Sequence, residues 1–294
     1  MLHDYLNRVR QARRQRLAVE AIRTLGGHVT YDYQLDSSPT YRARSHRLPR
    51  FLRCLLGKER VNRIVKVKIT CDEGMQHLRE FHDVEELYAW RSTVSDAGLA
   101  HLQGLSCLRQ LFLSESAISD AGLSHLTELT QLESVDLDET RITDDGLRSV
   151  GQFLGLRILN VENTRIGDTG LAHLVGLRFL EELYLRGTQI TDVGLTHLGM
   201  LTSLEYLDLA ETRLDGSGLL HLQSLARLEI LDLSFTGVTD GSLQQLGKCP
   251  SLRQLHLHET QVTRGGVETI QAMRPQLKVL GDITRAAKGQ AERE

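Results

Sequence analysis

The pattern of hydrophobic and polar residues repeats along most of the chain. Residues 84–275 divide into eight units of 24 residues without a gap, and the fifth unit reads LEELYLRGTQITDVGLTHLGMLTS. The shared pattern is L-x-x-L-x-L-x-x-T-x-I-T-D-x-G-L-x-x-L-x-x-L. A fixed period of this length is typical of repeat proteins, in which every unit packs on its neighbours.

Each unit is predicted to contain a short strand followed by a helix. In the fifth unit, Leu183 alternates with Tyr184, as in a strand that is buried on one face. From Leu195 onward the leucines lie three residues apart, which predicts a helix buried along one side. Thr191 can cap this helix, and Asp192 follows in the first turn, where the helix dipole favours a carboxylate. One unit alone cannot bury its apolar side, so the units are expected to stack.

Two further residue types recur at fixed positions in the units. A Ser or Thr follows each strand, where its hydroxyl can bond to backbone groups of its own turn or of the next. A Gly lies in the first helical turn, although Gly is poor there by propensity, and we attribute it to close backbone approach between neighbouring units. The hydroxyl column is Ser92, Ser116, Thr140, Thr164, Thr188, Thr212, Thr236 and Thr260, and the glycine column is Gly98, Gly122, Gly146, Gly170, Gly194, Gly218 and Gly266.

With these motifs, the units resemble bacterial leucine-rich repeats of the TDxGLxxL type, which are similar to the repeats of F-box-associated proteins. Thr or Ser stands where many leucine-rich repeats have Asn. The resemblance covers roughly residues 60–282. It implies an α/β fold, a right-handed leucine-rich-repeat solenoid with a parallel sheet on the concave face and helices on the convex face. It also implies a binding role rather than catalysis.

The two ends of the chain depart from the repeat, so we predict three regions. Residues 1–60 are expected to cap the solenoid with a basic amphipathic helix at 5–25, a strand HVTYDYQ and a short helix at 49–57. Residues 61–283 are expected to form the solenoid, with degenerate units at both of its ends. The tail at 284–294 is polar and is expected to be disordered.

Charge is distributed unevenly between the N-terminal region and the repeats. The net charge of the chain is −3, but residues 1–60 have a balance of +8 and the remainder a balance of −11. Five arginines fall within residues 8–16. This excess of positive charge gives the alternative function, which is peripheral binding to a membrane or a nucleic acid through the basic N-terminal helix. An anionic membrane surface is therefore a second candidate partner, at residues 1–25.

The sequence also bears on location. No apolar run approaches the roughly 20 residues that a membrane-spanning helix needs, and the N-terminus lacks the apolar stretch of a signal peptide. We therefore expect a cytoplasmic or membrane-associated protein. Residues 13–27, RRQRLAVEAIRTLGG, and the YDY that follows are similar to the segment before the repeats in the same bacterial family, often just after a membrane-spanning helix.

No motif predicts catalysis, a cofactor or a small-molecule substrate. A histidine recurs at one helical position, but the column offers one ligand per unit without the Cys or carboxylate that would complete a zinc site. Packing is therefore favoured over metal binding for these histidines. The four cysteines form no CxxC pair, and the repeat aspartates are interpreted as helix-start residues. The histidine column is His77, His101, His125, His173, His197 and His221.

Variation is concentrated at the outward positions of the strands. The first outward column contains Tyr88, Phe112, Asp136, Asn160, Tyr184, Asp208, Asp232 and His256. The second contains Trp90, Ser114, Asp138, Glu162, Arg186, Ala210, Ser234 and His258. Uniform columns are structural, whereas varied and exposed columns can recognise a partner. The alternative is a solvated face without a partner.

From these columns we predict a protein–protein interaction scaffold that binds a protein or peptide on its concave face. Exposed aromatic residues are expected to anchor the partner, since Trp, Tyr and Arg dominate binding energy at interfaces. The acidic patch around Asp136, Asp138 and Glu162 is expected to meet basic groups on the partner rather than a divalent cation. The predicted partner-binding residues are Tyr88, Trp90, Phe112, Asp136, Asp138, Glu162, Tyr184, Arg186, Tyr206, Asp208, Asp232, His256 and His258.

Overall fold

The computed structural model describes residues 2–31 and 63–282, and the chain forms two compact units, residues 1–132 and 133–294. The predicted short helix at 49–57, the end of the HVTYDYQ strand and the predicted disordered tail lie outside the described residues. Each unit is considered by itself below.

The first unit begins with a long helix and continues with strands that alternate with short helical turns. Strand β1 pairs antiparallel with β2, and β2, β3 and β4 pair in parallel. Its elements are α1 (Leu2–Thr24), β1 (His28–Tyr31), β2 (Ile64–Lys68), α2 (Asp72–Met75), β3 (Glu86–Tyr88), α3 (Asp96–Leu99), β4 (Gln110–Phe112) and α4 (Asp120–Leu123).

The second unit repeats the same alternation, and its strands β5 to β11 pair in parallel in chain order. Short 3-10 turns extend or replace several of the helices. Its elements are β5 (Ser134–Asp136), α5 (Asp144–Val150), β6 (Ile158–Asn160), α6 (Asp168–Leu171), β7 (Glu182–Tyr184), α7 (Leu195–Leu198), β8 (Tyr206–Asp208), β9 (Ile230–Asp232), α8 (Asp240–Leu243), β10 (Gln254–His256), α9 (Arg264–Met273) and β11 (Lys278–Leu280).

The leucine columns form the core, as the alternating pattern predicts. Leu183 of β7 and Leu195 of α7 are fully buried, whereas Tyr184 between them is half-buried on the outward side of its strand. Parallel strands joined by right-handed crossovers place a sheet on one side of a unit and helices on the other. The expected α/β repeat architecture is therefore confirmed.

Helix α1 packs on the repeats through side chains of its second half. Ala18, Val19 and Ile22 are buried, and Gln15 Nε2 donates to the carbonyl of Glu80 at 3.0 Å. In contrast, the side chain of Leu17 is 57% exposed. Leu17 therefore lies outside the face of α1 that Ala18, Val19 and Ile22 share, and packing on the repeats begins near the middle of the helix.

The hydroxyl column closes the turn after each strand. The Oγ1 of Thr188 donates to the carbonyl of Leu185 at 2.5 Å, and Thr164 donates to Val161 at 2.6 Å. The same bond, to the residue three positions earlier, recurs at the other members of the column. Of the two arrangements that the sequence allows, the hydroxyl therefore satisfies a carbonyl of its own turn.

The repeat aspartates join neighbouring repeats. The Oδ1 of Asp168 accepts from the backbone N–H of Thr191 at 2.8 Å, and its Oδ2 accepts from the hydroxyl of Thr191 at 2.6 Å. The same pair of hydrogen bonds links Asp72 to Ser95, Asp96 to Ser119 and Asp240 to Thr263. The interpretation as helix-start residues was therefore incomplete, because each carboxylate also binds the next repeat.

The glycine column makes room for this carboxylate. A Cβ added to Gly194 would lie 2.5 Å from the Oδ1 of Asp168, and one added to Gly170 would lie 2.6 Å from the Oδ1 of Asp144. The close approach expected from the sequence exists, but at these positions the approaching group is a side chain rather than backbone. Gly218 is the exception, because the backbone oxygen of Asp192 lies 2.5 Å from its added Cβ.

A column of left-handed residues follows the strands, which the sequence analysis missed. Among these positions, Asn163 has φ 51°, Gly187 has φ 67° and Phe235 has φ 59°. The N–H of Asn163 donates to the carbonyl of Arg186 at 2.8 Å, and that of Phe235 donates to His258 at 2.7 Å. The left-handed conformation favours Gly and Asn and disfavours a bulky side chain. The residues of this column therefore connect neighbouring repeats by backbone hydrogen bonds, and the non-glycine members adopt a strained backbone conformation to do so.

We predict that Asp168→Ala destabilises the protein by about 2 kcal/mol, because two hydrogen bonds to an ionised acceptor are lost and the Thr191 groups lose their partner. The measurement is urea unfolding followed by circular dichroism. The matched control is Asp145→Ala, whose side chain is 79% exposed and pairs with Arg148 at 3.4 Å within one helix. Equal destabilisation by both changes would contradict the structural role of Asp168.

Candidate functional site

The predicted partner-binding residues fall on the outward face of both units. The first outward column lies within the strands, whereas the second column, which begins with Trp90, lies in the turns two residues beyond the strand ends. Three of them, Tyr88, Trp90 and Phe112, lie in residues 1–132, and we call them the aromatic surface. The other ten lie in residues 133–294 and form the acidic surface of that unit. Each surface is described separately.

The aromatic surface contains a stacked pair of rings. Tyr88 on β3 is in register with Phe112 on β4, and the ring centroids lie 4.8 Å apart with an interplanar angle of 9°. Aromatic pairs in contact contribute about 0.5–1.5 kcal/mol beyond the area that they bury. The Tyr88 hydroxyl donates to Glu86 Oε2 at 2.6 Å, which fixes the ring position. Both rings are half-buried, and Tyr88 lies two residues before Trp90 in the sequence.

Trp90 is the exposed member of the aromatic surface, with 39% of its surface accessible. Lys68 Nζ lies 4.3 Å from the ring centroid, and the guanidinium carbon of Arg91 lies 5.9 Å from it. Arg91 also pairs with Glu115 at 2.6 Å. The indole therefore has two cations within cation–π distance and is flanked by positive charge.

Lys68 was not identified from the sequence, and the register explains why. Lys68 on β2 pairs with Tyr88, which lies only 20 residues later, whereas Tyr88 pairs with Phe112 at the regular 24-residue spacing. A search with the 24-residue period therefore does not place Lys68 beside the aromatic residues.

The acidic surface contains an ordered column along parallel strands. Asp136, Asn160, Tyr184, Asp208, Asp232 and His256 are each in register with the next. The Asp and Asn members also have a structural role. Asp208 Oδ1 accepts from the N–H of Ala210 at 2.8 Å, and Asp232 Oδ1 accepts from Ser234 at 2.8 Å. The same bond forms at Asp136 and Asn160. Part of the acidic character is therefore required to end the strands.

Two tyrosines give the acidic surface an apolar segment. The rings of Tyr184 and Tyr206 lie 4.8 Å apart at an angle of 35°, and the Tyr184 hydroxyl donates to Glu182 Oε2 at 2.8 Å. Burial, followed by the nearby charge of Asp208, raises the pKa of Tyr206 to about 12. Burial and the bond to Glu182 also raise the pKa of Tyr184. Both phenols therefore remain neutral near pH 7.

Glu162 lies in the most negative part of this surface. Burial raises its pKa from 4.5 to about 7, and the charges of Asp208 and Asp138 add to this effect, while Arg186 opposes it. Arg186 itself pairs with Glu211 at 2.5 Å, so its charge is shared. Asp208 is only 7% exposed and contributes charge more than contact area. Glu162 therefore contributes a full negative charge to this surface only above about pH 7.

The C-terminal end of the acidic surface contains two histidine–carboxylate pairs and a depression. His256 Nδ1 lies 3.5 Å from Asp232 Oδ2, and His258 Nδ1 lies 3.6 Å from Asp282 Oδ2. An open cavity of about 540 Å³ lies between Arg186 and His258. Phe235 lines it, and the sequence analysis missed this residue. The only signal was its position in the column that also contains Asn163 and Gly187.

Comparisons with known proteins agree with this repeat architecture. Residues 176–199 match a family model described as Leucine Rich repeat, which covers one 24-residue unit. A search of curated proteins found no match. Among solved structures, an internalin from Listeria monocytogenes has a TM-score of 0.53 and 22% identity, covering 74% of this chain and 72% of that chain.

The fold is a leucine-rich-repeat solenoid.

Two further structures show weaker likeness to this solenoid. A second Listeria monocytogenes internalin has a TM-score of 0.47 and 24% identity, covering 74% of this chain and 81% of that chain. A plant peptide hormone receptor, solved in complex with RGF2, has a TM-score of 0.48 and 14% identity, covering 76% of this chain and 39% of that chain.

The histidine column lies outside the sheet face of the solenoid. Five of its members are half-buried and His101 is exposed. Within residues 2–31 and 63–282, no group of three or more His, Cys, Asp or Glu side chains is placed to hold a metal ion. In the same part of the chain, no helix combines the length and the apolar character needed to cross a bilayer.

We predict that Glu162→Gln removes a pH dependence of stability. The folded pKa of about 7 exceeds the usual 4.5, so the wild type loses stability as the pH rises through this range, because the unfolded carboxyl ionises first. At pH 8 the variant should be more stable by on the order of 1 kcal/mol, a value discounted for the half-exposed site, and at pH 4 it should equal the wild type.

The measurement is urea unfolding at pH 4 and pH 8. The matched control is Glu139→Gln, which removes an exposed carboxylate from the same unit. If Glu162→Gln stabilises the solenoid equally at both pH values, the burial and charge repulsion described for Glu162 do not operate.

Proposed function

We propose that this solenoid is a non-catalytic scaffold that binds a protein or peptide partner on the sheet face, the face that the resemblance expects to be concave. The observation that carries the proposal is the contrast between columns. The hydroxyl, glycine and aspartate columns are fixed by hydrogen bonds within and between repeats, whereas the outward strand positions change from repeat to repeat. A surface that varies on a constant scaffold is typical of solenoid recognition.

The aromatic surface supports an anchoring role. Trp90 is 39% exposed and lies two residues after Tyr88, whose ring stacks on Phe112. Contiguous exposed aromatic surface on a soluble protein usually marks a binding site. Trp and Tyr also contribute strongly to interface energy, because they bury a large area and lose few rotamers.

The acidic surface supports a partner that has basic groups. Above pH 7, Glu162 adds its charge to Asp136, Asp138 and Asp208, while Arg186 is paired with Glu211. Opposite charges accelerate association and orient the partner. We further propose that the repeats belong to the bacterial TDxGLxxL type, because the motif and the 24-residue period occur together in the units.

We predict that Trp90→Ala weakens partner binding by about 2 kcal/mol, or roughly thirtyfold, since a truncated aromatic anchor has this effect at interfaces. The partner is first identified by affinity capture with the intact chain and mass spectrometry, and its affinity is then measured by calorimetry. The control is Phe179→Ala, which truncates a 65% exposed aromatic side chain before β7. A loss with Phe179→Ala and none with Trp90→Ala would move the binding surface away from the strands.

A second candidate function is binding of α1 to an anionic membrane surface. Arg10, Arg13 and Arg14 are exposed and fall on one side of α1, together with Leu17, which is 57% exposed. Basic residues that flank an exposed apolar side chain fit the interface of an anionic bilayer. The first buried side chain among those described in α1 is Ala18, so these residues precede the buried segment and are accessible in the folded protein.

We predict that the intact chain sediments with phosphatidylserine-containing vesicles at low salt and is released as salt increases. The triple variant Arg10→Gln, Arg13→Gln, Arg14→Gln should lose this binding. The matched control is Arg141→Gln, Arg165→Gln, Arg213→Gln, which removes the same charge from exposed positions of one repeat column. If the control loses as much binding as the α1 variant, attraction is due to overall charge and not to α1. Retention of binding in the α1 variant would exclude this function.

A further inference from the structure

The depression at the C-terminal end of the acidic surface results from small residues in one outward column. Ala210 and Ser234 are buried at its floor, between the long side chain of Arg186 and the ring of His258. These four positions lie two residues beyond the ends of successive strands, so the opening is about 14 Å long at the usual strand spacing. The resulting cavity has a volume of about 540 Å³, which is large enough for a long side chain of a partner polypeptide.

The charges around this cavity favour a cation. Arg186 is compensated by Glu211 at 2.5 Å. Asp232 and Asp282 lie 3.5 and 3.6 Å from the Nδ1 atoms of His256 and His258, respectively, and bring two more carboxylates to the cavity wall. Glu259 is exposed and forms no ion pair with any residue that the structure describes. An anionic ligand would therefore meet uncompensated negative charge, whereas a cation would be attracted.

Phe235 contributes an aromatic wall in an unfavourable backbone conformation. Its φ is 59°, a region that disfavours bulky L residues, and the same column has Gly at position 187. The ring is nevertheless 49% exposed, so burial in the core does not explain its presence. An exposed ring with Glu259 at the same cavity offers a cation both a π-face and a carboxylate.

We propose that this cavity receives an arginine side chain of the partner polypeptide, with the guanidinium stacked on Phe235 and hydrogen-bonded to Glu259. Arginine fits better than lysine, because its planar group stacks on an aromatic face while its N–H groups bind a carboxylate. Asp232 and Asp282 add to the attraction from the surrounding wall. This inference rests on the proposed sheet-face binding function and assigns to it a specific side chain and position.

The test uses the full chain and short capped peptides as probes. Acetyl-Gly-Arg-Gly-amide is titrated into the isotope-labelled protein at pH 7.5, and the backbone amide resonances of Ser234, Phe235 and Glu259 are followed by NMR. The same peptide with citrulline has the same shape without the charge, and the peptide with glutamate has the opposite charge. The arginine peptide should shift these resonances in a saturable way, with at least fivefold weaker binding for citrulline and none for glutamate.

Variants locate the two contacts. Phe235→Leu keeps an apolar side chain but removes the ring, and Glu259→Gln keeps the shape of the side chain but removes the charge. Each should weaken arginine-peptide binding at least threefold, while Phe235→Tyr should retain it. The matched control is Glu139→Gln, which changes the same left-handed column in another repeat and should have no effect. Unchanged amide spectra away from the cavity verify that the variants are folded.

The possible results separate this inference from the proposed function. If the arginine peptide shifts the resonances of Asp138 and Glu162 but not those of the cavity, the inference is wrong while attraction of basic groups to the sheet face stands. Equal binding of arginine and citrulline peptides also overturns it. If Phe235→Leu weakens partner binding as expected but Trp90→Ala leaves it unchanged, the arginine site stands and the aromatic anchor of the proposed function fails. If Phe235→Leu leaves partner affinity unchanged, the cavity does not receive a side chain of the partner and the inference is wrong.

Discussion

The structure of the repeats depends on one hydrogen-bonding arrangement between successive units. A carboxylate at the start of one helical turn accepts both the N–H and the hydroxyl of the corresponding turn in the next repeat, as Asp168 does from Thr191. The carboxylate has room only because the residue beside it is a glycine. A Cβ at Gly194 would lie 2.5 Å from Asp168 Oδ1. The aspartate, the hydroxyl residue and the glycine therefore form one structural device, and none of them is independent of the others. Each unit can bury its leucines only when this spacing to its neighbour is kept.

A second set of contacts ends the strands and leaves the sheet face available. Thr188 closes its turn on Leu185, and Asp208 and Asp232 accept backbone N–H groups just beyond their strands. The left-handed residue that follows joins one strand end to the next repeat. Because these groups satisfy the backbone locally, the remaining outward side chains have no structural task in common. They are therefore free to differ from one repeat to the next.

The acidic surface shows that this freedom has an energetic limit. Glu162 is half-buried near other carboxylates, and burial first and the charges of Asp208 and Asp138 second raise its pKa to about 7. Such an arrangement does not stabilise the fold above neutral pH. A basic partner would relieve the repulsion, so the same charges that weaken the free protein would strengthen the complex. Phe235 presents a similar case, since an exposed ring on a left-handed backbone adds little to stability.

The sequence by itself determined the repeat, the buried leucine columns and the parallel strands, because a side chain's burial follows from its place in the period when every unit is the same. It also identified the outward residues Tyr88, Asp136 and Tyr184, since alternation along a strand assigns each side chain to a face. The tertiary structure alone decided what each fixed column contacts. Whether the Asp168 carboxylate serves its own helix or the next repeat depends on the distance between units, and a one-dimensional period does not contain that distance. Likewise, Lys68 reaches Trp90 because β2 pairs with β3 at a spacing of 20 rather than 24 residues. The cavity beside Phe235 exists because the small residues Ala210 and Ser234 of two repeats lie between Arg186 and His258 of the flanking repeats. These features arise from residues that are distant in sequence and become adjacent only when the strands are in register.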